Sequence, residues 1–466
     1  MTCIRAVAAL VATGLALFVS QQAQASGFAI REDSAVGLGT AFAGSGSSAA
    51  TPATIFSNPA GMTHLDGIQV ETDVSVIIPS SQFSGSASSS GCGLCGPLSF
   101  PISGSGSINA SETAVVPAAY GLYSLNPDLK LGLAVTAPFG LRTEYSNTWV
   151  GRYFGITSSV DSVDVNPNIA YRVNDWLSVG GGVSAQYFDA TFTNAINQNS
   201  LAGFPPGGLQ TIPGACSNPN CDAFVRIDAH NWGVGFNGGV LLDPMPGTSF
   251  GVSFRSEVHH TLSGDANFSS VSPVLSMASP LLAVALSNSA VQASIATPAN
   301  VDFSLTQKIT DQLTLMADLQ WTGWSSFQTL GIVRTSGLAA GAPLSVTPEN
   351  FRNTIFAALG SSYALDDRWT VRAGVAFDQT PVRPTEITVR LPDSDRYWLA
   401  AGVSYKVTDS LSIDAAYAHI FMPDASLNSS VNSVILPVTP GGGTDIISGS
   451  YSDHIDLISL AARLRF

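Results

Sequence analysis

The feature that most constrains this chain is a period-two alternation of apolar and polar residues, recurring from about residue 68 to the C-terminus. Such alternation belongs to strands whose two faces meet different surroundings. It is clearest over 396–406, where Tyr397, Leu399, Ala401, Val403 and Tyr405 share one face. Arg396, Trp398, Ala400, Gly402, Ser404 and Lys406 share the other. Trp369, Val371, Ala373, Val375 and Phe377 repeat the pattern, as do Leu313, Leu315, Ala317, Leu319 and Trp321. Between the two tyrosines, a strand rising about 3.3 Å per residue and tilted by about 40° climbs roughly 20 Å, close to the apolar band of an outer-membrane barrel. A soluble sandwich also alternates, with its apolar face inward, so alternation alone admits both.

Connection lengths separate the two. Strands are predicted near 68–78, 113–124, 129–138, 161–172, 176–189, 226–242, 248–262, 299–309, 312–324, 351–364, 368–379, 395–407, 410–421 and 451–466. The connections alternate between short and long. The short ones hold turn residues, among them Asn126-Pro127-Asp128, Asn174-Asp175, Thr310-Asp311, Asp366-Asp367 and Thr408-Asp409. The long ones cover about 79–112, 139–160, 190–225, 263–298, 325–350, 380–394 and 422–450. Short inner turns and long outer loops mark a bacterial outer-membrane barrel. The predicted fold class is all-β: a 14-stranded antiparallel transmembrane barrel over 68–466. Ile458, Leu460, Ala462, Leu464 and Phe466 keep the alternation to the last residue.

Composition removes the competing classes. Charged residues are 11%, under half of the roughly 25% usual in soluble domains. Hydrophobic residues are 45%, yet no apolar run after the leader reaches the ~20 residues of a membrane helix. The net charge of −14 excludes a nucleic-acid partner. The leader has Arg5, an apolar stretch over 7–19 and Ala23-Gln24-Ala25, which predicts a signal peptide over 1–25. Export favours disulfides over zinc for Cys92, Cys95, Cys216 and Cys221; of three connectivities, 92–95 and 216–221 are expected.

Residues 26–67 do not alternate and are rich in Gly, Ala and Ser. They are either disordered or a compact plug. A fourteen-strand barrel is wide enough to leave a lumen unless something fills it, which favours an N-terminal hatch over 26–67.

Six short runs then carry a resemblance: SGFAI at 26–30, GLGTAFAG at 37–44, SNPAGM at 57–62, APFGL at 137–141, WTGWS at 321–325 and LPDSDRYW at 391–398. In this order the chain resembles the FadL/TodX-type outer-membrane transporters of long-chain fatty acids and aromatic hydrocarbons. The resemblance implies a hatch inside the barrel and passive uptake of hydrophobic molecules, with lateral release into the membrane. It implies that Phe28 sits at an inner pocket, that Asn58 and Pro59 belong to a hatch motif, and that Phe139 and Gly140 mark a kink and gap in the third strand. It also implies a capture groove between the third and fourth outer loops, where Val274, Leu275, Met277, Leu281 and Leu282 lie; packing against other loops is the alternative for these residues. Terminal Phe466 resembles the signal read by the outer-membrane assembly machinery. The expected partners are hydrophobic small molecules, outer-membrane lipids and that machinery. A monomer in the bacterial outer membrane is expected, with no cofactor, no metal and no nucleic acid.

One departure stands out. Fatty-acid carriers of this family align basic residues with positions that are Asn194 and Gly331 here. A carboxylate in an apolar pocket wants a paired cation. Arg334 is the nearest substitute, and neutral hydrocarbons stay open beside fatty acids. An enzyme is not supported: the six His lack a nucleophile motif, and His259-His260 reads as ordinary strand sequence. A general diffusion porin remains the other alternative.

Overall fold

The structure is a computed structural model that describes residues 27–90, 98–204, 207–432 and 443–466. The expected signal peptide and the Cys92–Cys95 pair lie outside them. Fourteen antiparallel strands close into one barrel. They are β1 (Ile68–Ser90), β2 (Ala114–Ser124), β3 (Leu129–Thr136), β4 (Thr157–Asn174), β5 (Leu177–Asn197), β6 (Asp222–Met245), β7 (Thr248–Arg255), β8 (Asn300–Lys308), β9 (Leu313–Thr322), β10 (Thr354–Ala364), β11 (Trp369–Asp378), β12 (Arg396–Lys406), β13 (Leu411–Phe421) and β14 (Thr444–Arg465). Further strand stretches extend several of them, among them Gly140–Glu144 after β3, Val258–Ser269 after β7, Ser289–Thr297 before β8 and Ala425–Asn432 after β13. β14 returns to β1, with Gln69 opposite Arg465 and Ser90 opposite Thr444. This is the expected all-β, 14-stranded barrel.

The alternation resolves into an inner and an outer face. Leu359 is 63% exposed, Leu399 56% and Phe303 53%, all pointing outward. In water such a band would be an aggregation surface; hydrocarbon takes it readily. Aromatic pairs edge the band, Trp369 with Tyr405 (ring centroids 4.4 Å apart) at one end and Phe377 with Tyr397 (5.4 Å) at the other. No described helix is long and apolar enough to cross a membrane; the crossing is made by strands.

Side-chain acceptors hold the short turns. Asn126 Oδ1 accepts from the Asp128 and Leu129 N–H groups, both at 2.9 Å. Asp366 Oδ1 accepts from Arg368 and Trp369 at 2.7 and 2.8 Å, and the Thr408 hydroxyl from Ser410 and Leu411 at 3.2 and 3.0 Å. Each spends a side-chain oxygen on the N–H groups that the reversal strips of partners. At the long-loop end the strands outrun the sequence expectation. β1 continues to Ser90 and β14 begins at Thr444, where strand limits near 78 and 451 were expected. Beyond the hydrocarbon no face has to be apolar, so the ladder persists through Ser- and Gly-rich sequence without alternation.

Residues 27–67 lie against the inside of the wall. α1 (Ala35–Gly39) is capped by the Ser34 hydroxyl, which accepts from Gly37 N–H. α2 (Thr54–Ser57) and a 3-10 turn over Pro59–His64 follow. Leu38, Ala41 and Phe42 pack on Met316, Phe356 and Trp398 of the wall, and Ile55 and Met62 on Tyr120 and Leu122. The backbones meet where the wall has no side chain: a Cβ on Gly374 would collide with the Thr40 carbonyl, and one on Gly402 with the Gly39 Cα.

Candidate functional site

The site is built at a break in the wall. β2 and β3 pair from Ser124 opposite Lys130 to Ala119 opposite Val135, and there the ladder stops. A single bridge, Ser111 to Thr143, joins the two sides again further out. Pro117 and Pro138 stand on either side of the break, and neither has an N–H to give. On its other edge β3 stays joined to β4, but four steps along β3 (Thr136 to Gly140) match three along β4 (Asp164 to Asp161). The extra residue bends the strand. The Ser162 hydroxyl pins the bend, accepting from Phe139 N–H at 2.9 Å and donating to the Phe139 carbonyl at 2.7 Å.

The inner segment fills the break with backbone. Ile30 N–H donates to the Pro138 carbonyl at 2.9 Å, and Gly140 N–H to the Phe28 carbonyl at 2.8 Å. Ala29 and Phe139 form the antiparallel bridge between them. A three-residue stretch of the chain's own N-terminal region thus pairs with the strand that the wall leaves unpaired.

Phe28 carries this pairing into an aromatic cage. Its ring centroid lies 4.7 Å from Trp324, 5.6 Å from Phe327, 5.9 Å from Phe139 and 6.4 Å from Phe188. Three of the four contacts are edge-to-face, the geometry that ring quadrupoles favour. Trp324 belongs to the 3-10 turn Trp324–Ser326, and Phe327 caps it; Phe351 closes the cage behind both. Phe28 is only 6% exposed. Beside the cage is a cavity of about 130 Å³ lined by Ala29, Ile30, Phe139, Trp324 and Phe356 among others. Arg31 lines it too, its guanidinium 3.9 Å from the Phe356 ring centroid.

Polar anchors hold the segment at both ends. Asp393 accepts from Gly27 N–H at 2.9 Å, from the Thr380 hydroxyl at 2.6 Å and from Arg396 Nη2 at 2.6 Å. Burial raises the Asp393 carboxyl, and Arg396 is the main opposing influence. Asn58 is fully buried. Its Nδ2 donates to the Gly46 carbonyl at 2.7 Å and the Val240 carbonyl at 3.1 Å, and its Oδ1 accepts from Ala60 N–H. Pro59 starts the following 3-10 turn with a preset φ. Burial, reinforced by Glu32, pushes the Asp33 carboxyl up to about 7.

The capture-groove residues divide. They lie on α4 (Pro273–Ala278) and α5 (Pro280–Ala285), beyond α3 (Gln198–Leu201) of the preceding long loop. Leu275 and Leu282 are buried in a cluster with Leu286 of their own loop and Leu201 of the preceding long loop. Met277 is 78% exposed, Leu281 47%, and Val274 is half-buried. Of the five, only these three keep exposed apolar surface. Arg334 is far from free: it donates to the Ser287 carbonyl and the Ser289 hydroxyl at 2.9 and 2.8 Å and clamps the end of α5 through the Ala285 carbonyl. At Asn194 a cation is nonetheless present, because Arg390 Nη2 approaches the Asn194 Oδ1 at 3.3 Å. Sequence reasoning missed Arg390, Phe188 and Phe351; no spacing ties them to Phe28. Phe28, Phe139 and Trp324 lay in the short runs SGFAI, APFGL and WTGWS.

Other expectations find plain positions. Cys216 and Cys221 are disulfide-bonded. His259 is exposed and meets Glu257 at 3.1 Å, whereas His260 turns inward to Gln186 at 3.0 Å; neighbours on a strand face opposite ways. Of the inward charges, Arg463 donates to the Ala50 carbonyl at 2.9 Å and Arg372 to the Ser404 hydroxyl at 2.6 Å.

Comparison with known proteins agrees with this geometry. The profile of the family described as outer membrane protein transport protein (OMPP1/FadL/TodX) matches residues 16–466. The long-chain fatty acid transport protein of Escherichia coli (strain K12) is 29% identical over 426 residues, covering 88% of this chain and 91% of that protein. A crystal structure of a Pseudomonas aeruginosa FadL homologue superposes with a TM-score of 0.81 at 26% identity, over 94% of this chain and 100% of that one. The Ralstonia pickettii toluene transporter TbuX shares the fold, with a TM-score of 0.61 at 20% identity over 92% and 98%. The chain belongs to the OMPP1/FadL/TodX family of outer membrane transport proteins, and its barrel resides in the bacterial outer membrane.

Proposed function

We propose that the protein takes up hydrophobic molecules passively, long-chain fatty acids or related lipids in particular. The ligand is captured at the exposed apolar side chains of the fourth long loop, Met277 and Leu281. It passes to the aromatic cage, displaces Phe28 and leaves sideways through the break between β2 and β3. Residues 26–67 act as the hatch. A hydrophobe gains nothing by entering the aqueous periplasm, whereas lateral release keeps its surface out of water.

One observation carries this reading: the residue whose ring fills the cage is also the residue whose carbonyl accepts from Gly140 at the bend. A ligand that takes the ring's place unseats the backbone that covers the break. The filled lumen speaks against a general diffusion porin. Mass spectrometry of hydrophobes that co-purify with the barrel tests the reading. Bound fatty acids or related lipids are expected, lost when hydrocarbon competitors fill the cage. A barrel that never retains a hydrophobe and conducts ions steadily would contradict it.

A further inference from the structure

The break between β2 and β3 is bounded at both ends, and one end carries charge. At one end the ladder closes with Ala119 opposite Val135. At the other, Ser111 meets Thr143, and Glu144 N–H donates to the Ala110 carbonyl at 2.9 Å. Residues 112–118 thus face residues 136–142 across a slit without ladder bonds. At about 3.3 Å per residue such a slit is roughly 20 Å long. Residues 113–118 and 136–141 carry no charge, so the slit is neutral up to its outer end.

Glu112 and Arg142 are the first facing residues on the slit side of the Ser111–Thr143 bridge. Arg142 Nε lies 2.6 Å from Glu112 Oε2, and Nη2 lies 3.3 Å from Glu144 Oε2. The ion pair therefore crosses the slit, since Glu112 leads into β2 and Arg142 follows the bend of β3. Both sides are anchored behind it. Ala110 N–H donates to the Ser81 carbonyl of β1 at 2.9 Å, and the Ser111 hydroxyl to the Pro79 carbonyl at 2.8 Å. Across the slit, Arg142 is in register with Ser159 of β4 and Thr143 with Ser158. The Thr143 hydroxyl also donates to the Arg390 carbonyl at 3.3 Å.

A part-exposed ion pair adds little to the stability of a fold. Here it acts on the shape of an opening, because it ties two strands that no ladder holds together. Among the described residues, neither Glu112 nor Arg142 is bonded to residues 27–67, so the tie stays when Phe28 and Ile30 leave the break. A slit fastened at both ends parts only by bowing, which limits its width and not its length. We propose that the Glu112–Arg142 pair sets the width of the lateral opening and so selects what leaves through it. An unbranched hydrocarbon chain passes lengthwise along the slit; a broad, rigid, fused-ring hydrophobe is held back. This rests on the uptake reading above and adds a shape filter to it.

The test measures uptake of labelled hexadecan-1-ol and of the fused-ring hydrocarbon perylene, both uncharged. Cells carry the wild type, Glu112→Gln, Arg142→Gln or the exchanged pair Glu112→Arg/Arg142→Glu, each checked as a heat-modifiable barrel. Wild-type cells are expected to take up the alcohol well above the background of cells lacking the protein, and perylene only at that background. Each single variant raises perylene uptake about threefold, the scale of a part-exposed ion pair, and leaves alcohol uptake unchanged. The exchanged pair restores exclusion. Four results overturn the assignment: wild-type perylene uptake that matches the alcohol, single variants that still exclude perylene, single variants that lose the alcohol, or an exchanged pair that admits perylene as the single variants do. Each leaves wild-type hydrophobe uptake standing. Wild-type cells that take up neither compound above background overturn the uptake reading itself.

Discussion

Phe28 ties two places together with one residue, its ring in the cage and its carbonyl on the bent strand. Replacing it by Ala empties a site closed by four aromatic rings, and Phe→Ala in such packing costs roughly 3–5 kcal/mol. The loss falls on docking of the inner segment, since no ladder bond of the wall involves this side chain. Phe28→Ala is expected to insert as a folded, heat-modifiable barrel, to expose residues 27–45 to protease and to lower hydrophobe uptake. Wild-type uptake by this variant would remove Phe28 from the gate. Asp33 adds a pH dependence. A carboxyl raised from its ordinary value of 3.8 to about 7 on docking binds its proton more tightly when docked. Its stabilisation is complete below the undocked pKa and is lost as pH rises through about 7. A spin label on the segment should gain mobility between pH 5 and pH 9, and Asp33→Asn should flatten that change; equal mobility across the range would contradict it. The residues that announced themselves did so through short runs, as Phe28 in SGFAI and Gly140 in APFGL. Their partners did not: Phe188, Phe351 and Arg390 join the site from distant strands and loops, and contact across a barrel leaves no spacing in the sequence.

Among elements, the strands were the most legible and the inner segment the least. Lipid on one side and lumen on the other force the alternation of β9, β11 and β12, and the acceptors at Asn126, Asp366 and Thr408 mark the turns. Where β1 and β14 leave the membrane that force ends, and with it the pattern. The inner segment is small, apolar and aperiodic because it follows the glycines of the wall rather than a lattice of its own; its conformation depends on residues hundreds of positions away. Asn58 is its central brace. Asn58→Ala leaves the Gly46 and Val240 carbonyls without their side-chain donor, a loss of about 1–3 kcal/mol for buried groups. Faster proteolysis of residues 27–67 in an otherwise intact barrel is the expected result; unchanged cleavage would show that the brace is redundant.

At the scale of the whole molecule, a barrel wide enough for a pore is filled by residues 27–67, and the β2–β3 ladder is broken where Phe28 and Ile30 are bonded. Two consequences can be measured. In planar bilayers the purified protein should show little steady ion conductance, because the lumen is packed from α1 to the 3-10 turn; large, stable open-channel currents would favour a porin. The central claim, sideways release at the bend in β3, is tested most directly at Gly140. Gly140 sits at the bend of β3, on a different connection from α4 and α5, so a Trp there is aimed at the break alone. Uptake of a labelled long-chain fatty acid by cells carrying Gly140→Trp in a correctly inserted barrel should fall to the background of cells lacking the protein, while binding at the outer loops persists. Normal uptake with Trp at this position would contradict lateral release.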